Sequence, residues 1–185
     1  MNFLASREQL RASLIRWSLV CVPACLLIGV LPGRIWTADS AWFQALDKPA
    51  IFPPPATFGI VWSVLFVLMG IALALVGSAW GARGRGLAIG AFLVQFALNL
   101  AWTPTFFGAH LLTGGLVLLI AIVVAVAVTT VLFWRVRKLA GALLLPYLAW
   151  VLFASVLNYE FLRLNPQADG AEGGSGAAAR VRIGD

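Results

Sequence analysis

The sequence predicts an all-α polytopic membrane protein, a bundle of five transmembrane helices, and three observations carry that prediction. Of 185 residues, 62% are hydrophobic and only 11% charged, a composition far from that of a soluble domain. The apolar runs are about 20 residues long, the length at which one helix crosses roughly 30 Å of hydrocarbon, whereas barrel strands would give short alternating segments. The cations behind the formal net charge of +6 stand at the ends of these runs, where they act as topology signals. They do not line one polar face, as a nucleic-acid partner would require.

At the N-terminus, Arg7, Arg11 and Arg16 precede the run LVCVPACLLIGVL. The pattern is like a signal peptide, but no small-residue cleavage site follows, so a retained first helix is expected over roughly Leu14 to Leu31. Pro23 lies inside it, a bend that membrane helices tolerate when neighbouring groups take up the freed carbonyl. Cys21 and Cys25, one turn apart, read as small packing residues, and no disulfide framework or metal spacing is present.

The next stretch, WFQALDKPAIFPPPATFGIVW from Trp42 to Trp62, is neither polar filler nor helix by pattern. Pro49, Pro53, Pro54 and Pro55 fix their own φ, lack an amide donor and push the preceding residue toward extended geometry, so a stiff extended crossing is expected. Aromatics run through it at Trp42, Phe43, Phe52, Phe58 and Trp62, with Lys48 beside Asp47. A long connection of this kind is a lid over a binding site or a plain strap between helices, and the stretch alone leaves both open.

A second helix is expected over roughly Thr57 to Trp80, ending at the glycine- and arginine-rich turn Gly81 to Gly86. The third runs from Leu87 to about Phe107 and is stopped by Pro104; the fourth, about Leu111 to Trp134, is nearly pure aliphatic and is closed by Arg135, Arg137 and Lys138. The fifth, about Leu139 to Leu162, carries Pro146. Residues 1–165 form the membrane domain, and the glycine-, alanine- and acid-containing tail 166–185 is expected to be disordered. Counting Lys and Arg in the short loops places the N-terminus in the cytoplasm, the proline-rich loop outside and, with five spans, the C-terminus opposite the N-terminus. Trp17, Trp36, Trp80 and Trp134 fall at helix ends, as interface anchors do.

With anchors and lipid-facing aliphatics set aside, a small polar and aromatic set remains. Gln95, Asn99 and Trp102 share one face of the third helix, and Tyr147, Trp150, Ala154 and Asn158 share one face of the fifth. Trp62 and Phe66 are one turn apart near the entry of the second. Amides in hydrocarbon seek partners across helices at about 0.6 to 2 kcal/mol each, so these faces point inward. The residues permit two roles: interhelical glue, in which Gln95, Asn99 and Asn158 bond one another, or the wall of a pocket for a flat apolar ligand with a few polar groups. On the residues alone the balance leans slightly to glue.

Glu160 and Arg163 read as an interfacial ion pair. His110 is the only histidine, and with no His or Cys pair among the bundle residues a permanently bound cofactor or metal is not expected. Leu157, Tyr159 and Arg163 fit the loose sterol-recognition pattern, which many chains match by chance. Gly86 and Gly90 form a GxxxG pair that permits close contact with a second copy, hence a homodimer, though glycine beside a turn is also ordinary punctuation.

Three blocks, WFQALDKPAIFPPPATFGIVW, QFALNLAWTPTFF and PYLAWVLFASVLNYEFLRLN, together resemble the tryptophan-rich sensory protein and translocator protein family, and they span most of the chain from Trp42 to Asn165. The resemblance implies a five-helix bundle, often dimeric, binding porphyrins such as protoporphyrin IX, sterols in some members and benzodiazepine-type compounds, in a pocket closed by the first loop. It implies pocket roles for Trp62 and Trp150, amide positions at Gln95 and Asn99, and a loop tryptophan at Trp42. Phe106 joins the implied ligand set, with Lys48, Pro49, Pro53 and Pro54 in the lid. The chain departs from the family pattern at Phe43 and Phe66, where many members have tyrosine, so hydroxyl roles do not carry over there.

Three functions follow as expectations. The first is a membrane binding and sensing protein that holds a porphyrin or similar planar amphipath beneath the proline-rich loop. The second is a light-assisted porphyrin-degrading enzyme with Trp62 and Trp150 beside the macrocycle, for which the sequence offers no general acid, base or metal. The third is a porphyrin or sterol transporter, for which the five-helix chain offers no inverted repeat.

Overall fold

The computed structural model describes residues 6–171. Its long helices are α1 (Arg7–Ile35), α3 (Pro55–Gly77), α4 (Arg85–Thr103), α5 (Leu112–Val136) and α6 (Lys138–Leu164), with a single turn, α2 (Ala41–Ala45), in the first loop. No strand occurs among the described residues. Each long helix, taken with the turn that extends α4 to Gly108, is long and apolar enough to cross a bilayer, which makes this an integral, multi-pass membrane protein of five spans.

Helix α1 starts two turns earlier than hydropathy suggests because its start is set by a cap. The Ser6 hydroxyl accepts from the Gln9 amide at 3.2 Å while the Gln9 side chain accepts from the Ser6 amide at 2.9 Å, a reciprocal pairing of two donors that have no partner inside the helix. The first loop departs from the extended crossing expected of it. Ser40 accepts from the Phe43 amide at 3.3 Å and nucleates α2, so Trp42 and Phe43 lie on a helical turn. The prolines begin only at Pro49 and leave that turn free to form. Pro55 then opens α3 at its first position, where a fixed φ and a missing N–H cost nothing.

At the other end of α3, the Arg85 guanidinium donates to the Gly77 carbonyl at 3.0 and 2.7 Å and stacks over Trp80 at 4.2 Å, placing a cation on carbonyls left open at a helix C-terminus. Pro104 does not stop α4. The helix widens into a π turn over Pro104–Gly108, with the Ala109 amide donating to the Pro104 carbonyl at 2.8 Å. Between α5 and α6 only Arg137 is extended, so the two helices fold back on each other almost without a loop.

The bundle is a closed ring: α1 packs on α3, α3 on α6, α6 on α5 and α5 on α4, and α4 returns to α3 and α1. Gly70 sets the α1–α3 approach. A Cβ there would lie 2.6 Å from the Val22 Cα and 2.9 Å from the Cys21 carbonyl oxygen, so the backbones meet as small residues allow in membrane bundles. Cys21 and Cys25 are buried free thiols in this seam. Met69, Phe92, Ile122, Phe133 and Leu144 fill the interior, while Leu19, Val20, Leu93, Val117 and Val124 point outward, the inverse of a soluble surface and suited to lipid. Gly86 and Gly90 lie on this outer surface with open space beside them.

The segment after Asn165, expected to be disordered, begins instead as a docked 3₁₀ turn, Pro166–Ala168. Asp169 accepts from the Thr113 amide at 3.1 Å, and the Gly170 amide donates to the His110 carbonyl at 2.9 Å. Polar caps on the start of α5 hold a stretch whose composition carries no apolar period. Residues 172–185 of the same expectation lie outside the described residues.

Candidate functional site

The ring of helices brings most of the singled-out residues together in two layers, an upper one at the loop end of the bundle and a lower one near its middle. In the upper layer, Trp42, Phe43 and Phe106 are buried with Leu46, Leu112, Leu157 and Phe161. Phe43 is its hub, with ring centroids 5.1 Å from Phe107, 5.6 Å from Phe161 and 6.1 Å from Phe52. In the lower layer Trp62 stacks on Phe66 at 5.3 Å and meets the Tyr147 ring edge-on at 6.2 Å. Trp102 stacks on Phe106 at 5.0 Å and packs against both layers. Trp150 and Ala154 pack against the lower one.

The loop is tied across this end by contacts between residues far apart in sequence. The Trp42 indole donates to the Ala168 carbonyl at 3.2 Å and stacks on His110 at 4.4 Å. Asn165 accepts from the Asp47 amide at 2.8 Å and donates to the Asp47 carbonyl at 3.0 Å. Lys48 folds back to donate to the Phe43 and Leu46 carbonyls and sits 4.2 Å over the Phe43 ring. Partial burial draws its ammonium below the usual lysine range, against the opposing pull of the Asp47 carboxylate. Pro49 is buried, whereas Pro54 is exposed and Pro53 half-buried. The roles of Asn165, His110 and Ala168 carried no signal in the sequence, since each depends on a partner at least 60 residues away.

The polar atoms bear on the choice between glue and pocket. Among the described residues, none of Gln95, Asn99 and Asn158 is hydrogen-bonded to another. Both side-chain polar atoms of Gln95, the Trp102 and Trp150 indole nitrogens, the Tyr147 hydroxyl and Asn158 Oδ1 are buried without a partner. Asn158 spends its amide hydrogens on the Leu112 carbonyl at 2.8 Å, and Asn99 faces the Tyr147 hydroxyl without meeting the geometry of a hydrogen bond to it. Leaving a buried polar group unsatisfied costs about 1 to 3 kcal/mol, and these six atoms, spread along the inward faces of α4 and α6, form no bond between the helices. Two of them converge at Gly115. A Cβ built there would lie 2.9 Å from Asn158 Oδ1 and 3.4 Å from Trp102 Nε1, with Phe106 at 3.2 Å. Glycine lets this acceptor and this donor pack closely against α5.

Outside this cluster, an apolar groove of about 400 Å³ opens between α3 and α6, walled by Ile60, Val64, Leu68, Pro146 and Phe153. Trp150 lines it too, with its indole nitrogen buried. The sterol-pattern residues do not form one surface: Leu157 is buried under the loop, while Tyr159 is exposed and Arg163 lies on the outside, paired with Glu160 at 2.7 Å.

Sequence comparison places these features in a lineage. Protein CrtK of Rhodobacter capsulatus is 41% identical over 144 residues, covering 77% of this chain and 89% of that protein. Tryptophan-rich protein TspO of Chlorobaculum tepidum is 38% identical over 149 residues, covering 80% and 94%. The human translocator protein is 41% identical over 120 residues, covering 64% and 71%. The TspO/MBR family model matches residues 21–164, which takes in the second half of the first span, the other four spans and every residue of the two layers, and the chain belongs to the TspO/MBR family.

Proposed function

We propose that this protein binds a planar, amphipathic macrocycle of the protoporphyrin IX class between the helices, beneath the first loop, and serves as a membrane sensor or handler of tetrapyrroles. The observation that carries the reading is the set of six buried, partnerless polar atoms framed by aromatic rings. Flat rings offer large apolar faces at small entropic cost, and a few convergent donors and acceptors fix a ligand's orientation. The tethered loop supports the lid alternative over the strap, because it covers the aromatic layer and is bonded to it. The names of the relatives, one a sensory protein of Cereibacter sphaeroides and others translocators, agree with ligand handling in a membrane. The arginine-rich end, with the N-terminus, is assigned to the cytoplasm by the charge rule.

The test is an absorbance titration of the purified protein with protoporphyrin IX, in darkness and under illumination, with tryptophan fluorescence read in parallel. Saturable binding in the dark with quenched indole emission is expected, and the Trp62→Leu and Trp150→Leu variants are expected to bind more weakly while keeping their helix content. Loss of the porphyrin bands only under light would assign turnover. Unchanged affinity in both variants would remove the site from this position.

A further inference from the structure

The end of the bundle remote from the loop holds a second cleft, of different chemistry. Arg11 and Arg16 of α1, Arg83 and Arg85 of the α3–α4 turn, and Arg135, Arg137 and Lys138 at the α5–α6 junction all gather there, with Glu8 as the one carboxylate among the described residues of that end. Within this field a cleft of about 340 Å³ opens between the start of α1, the end of α3 and the α5–α6 junction, lined by Gln9, Ser13, Arg16, Ser78, Trp80 and Arg137. Arg85 is already engaged on the Gly77 carbonyl and the Trp80 ring. Arg16 and Arg137 are not: the one ion pair among the described residues is Glu160 with Arg163, at the opposite end. Arg137 is also held in place, being the single extended residue between two helices, with its amide on the Phe133 carbonyl at 2.7 Å.

We propose that this cleft is a binding site for the headgroup of an anionic phospholipid. Two guanidiniums flanking one cavity suit a phosphate, which they can grip through paired N–H donors. The Gln9 amide and Ser13 hydroxyl add uncharged donors for a glycerol. The cleft lies where four membrane spans begin or end, the depth of a headgroup, and Trp80 at its rim is 69% exposed, as an interfacial ring is. Leu10, 49% exposed, lines the cleft and gives it an apolar wall that a free phosphate would leave unused. A basic cleft between spans at a charged interface is the arrangement by which anionic lipid headgroups are held.

Native mass spectrometry of the full chain in detergent, titrated with phosphatidylglycerol, phosphatidylcholine or inorganic phosphate, tests this. One phosphatidylglycerol is expected to bind tightly, with phosphatidylcholine and millimolar phosphate failing to displace it. The Arg16→Gln/Arg137→Gln variant is expected to bind it roughly 10- to 30-fold more weakly, the effect of two cations at an anionic headgroup, while Arg83→Gln/Arg135→Gln, at the same end but outside the cleft, stays within a factor of about two of the parent. Equal binding of the two lipids by the parent protein, displacement by phosphate, or equal losses in the two double variants would each overturn the assignment, and the first two need no variant to fold. Arg16→Lys/Arg137→Lys should recover part of the affinity by restoring charge without the paired donors.

Discussion

Replacing Gln95 by leucine separates a binding site from structural glue by the sign of its effect on stability. Gln95 is 1% exposed, and both of its side-chain polar atoms are without partners. An amide that held helices together would lose about 0.6 to 2 kcal/mol on substitution. An amide kept partnerless carries the opposite balance: each unsatisfied atom costs about 1 to 3 kcal/mol in the folded state, a cost relieved on unfolding, when the amide finds water or detergent headgroups. Leucine has similar bulk, and repacking around it costs less than about 1.5 kcal/mol. The net expectation is a stabilisation of about 1 kcal/mol or more, and for a chain of this size each kcal/mol moves Tm by about 2 to 4 °C. A thermal melt in detergent, followed by tryptophan emission, should therefore show Gln95→Leu melting a few degrees above the parent. The same variant should bind protoporphyrin IX more weakly, by a factor of about 3 to 10 for each hydrogen bond the ligand no longer makes. A Tm below that of the parent would refute the reasoning, since it would mean that Gln95 has a partner whose loss is felt.

Three further outcomes follow from the geometry. Gly115→Ala puts a methyl group 2.9 Å from Asn158 Oδ1 and 3.4 Å from Trp102 Nε1; it should lower porphyrin affinity several-fold in the absorbance titration, and unchanged affinity would show that the ligand does not reach that point. Gly70→Val drives a side chain into the backbone of α1 and should cost about 1 to 3 kcal/mol, measurable as a lowered Tm together with faster maleimide labelling of Cys21 and Cys25; protection equal to the parent would mean the helices separate without opening the seam. Asn165→Leu removes both bonds to Asp47 and should speed proteolysis of the first loop and stopped-flow porphyrin release; equal release rates would make the loop a strap after all.

Five spans were legible in the sequence because hydropathy over a helical length is a local property, and the bilayer demands little else of a spanning segment. The inward faces were legible for the same reason: Gln95, Asn99 and Trp102, and Tyr147, Trp150 and Asn158, recur at helical spacing whatever the neighbours do. What those faces do was not legible. Whether one amide meets another depends on the rotation and depth of α4 relative to α6, which close packing around the ring sets, and there Gln95 is left without a partner while Asn158 takes a carbonyl of α5. The first loop shows the same division. Its prolines announced stiffness, but the α2 turn rests on one serine hydroxyl, and its seating on the bundle rests on Asn165 and Ala168, more than 110 residues along the chain. Such contacts exist only after the ring has closed and brought the end of α6 beneath the loop, so the amino-acid order specifies the spans and their polar faces, while tertiary packing alone decides which polar atoms are spent on the protein and which are left without a partner.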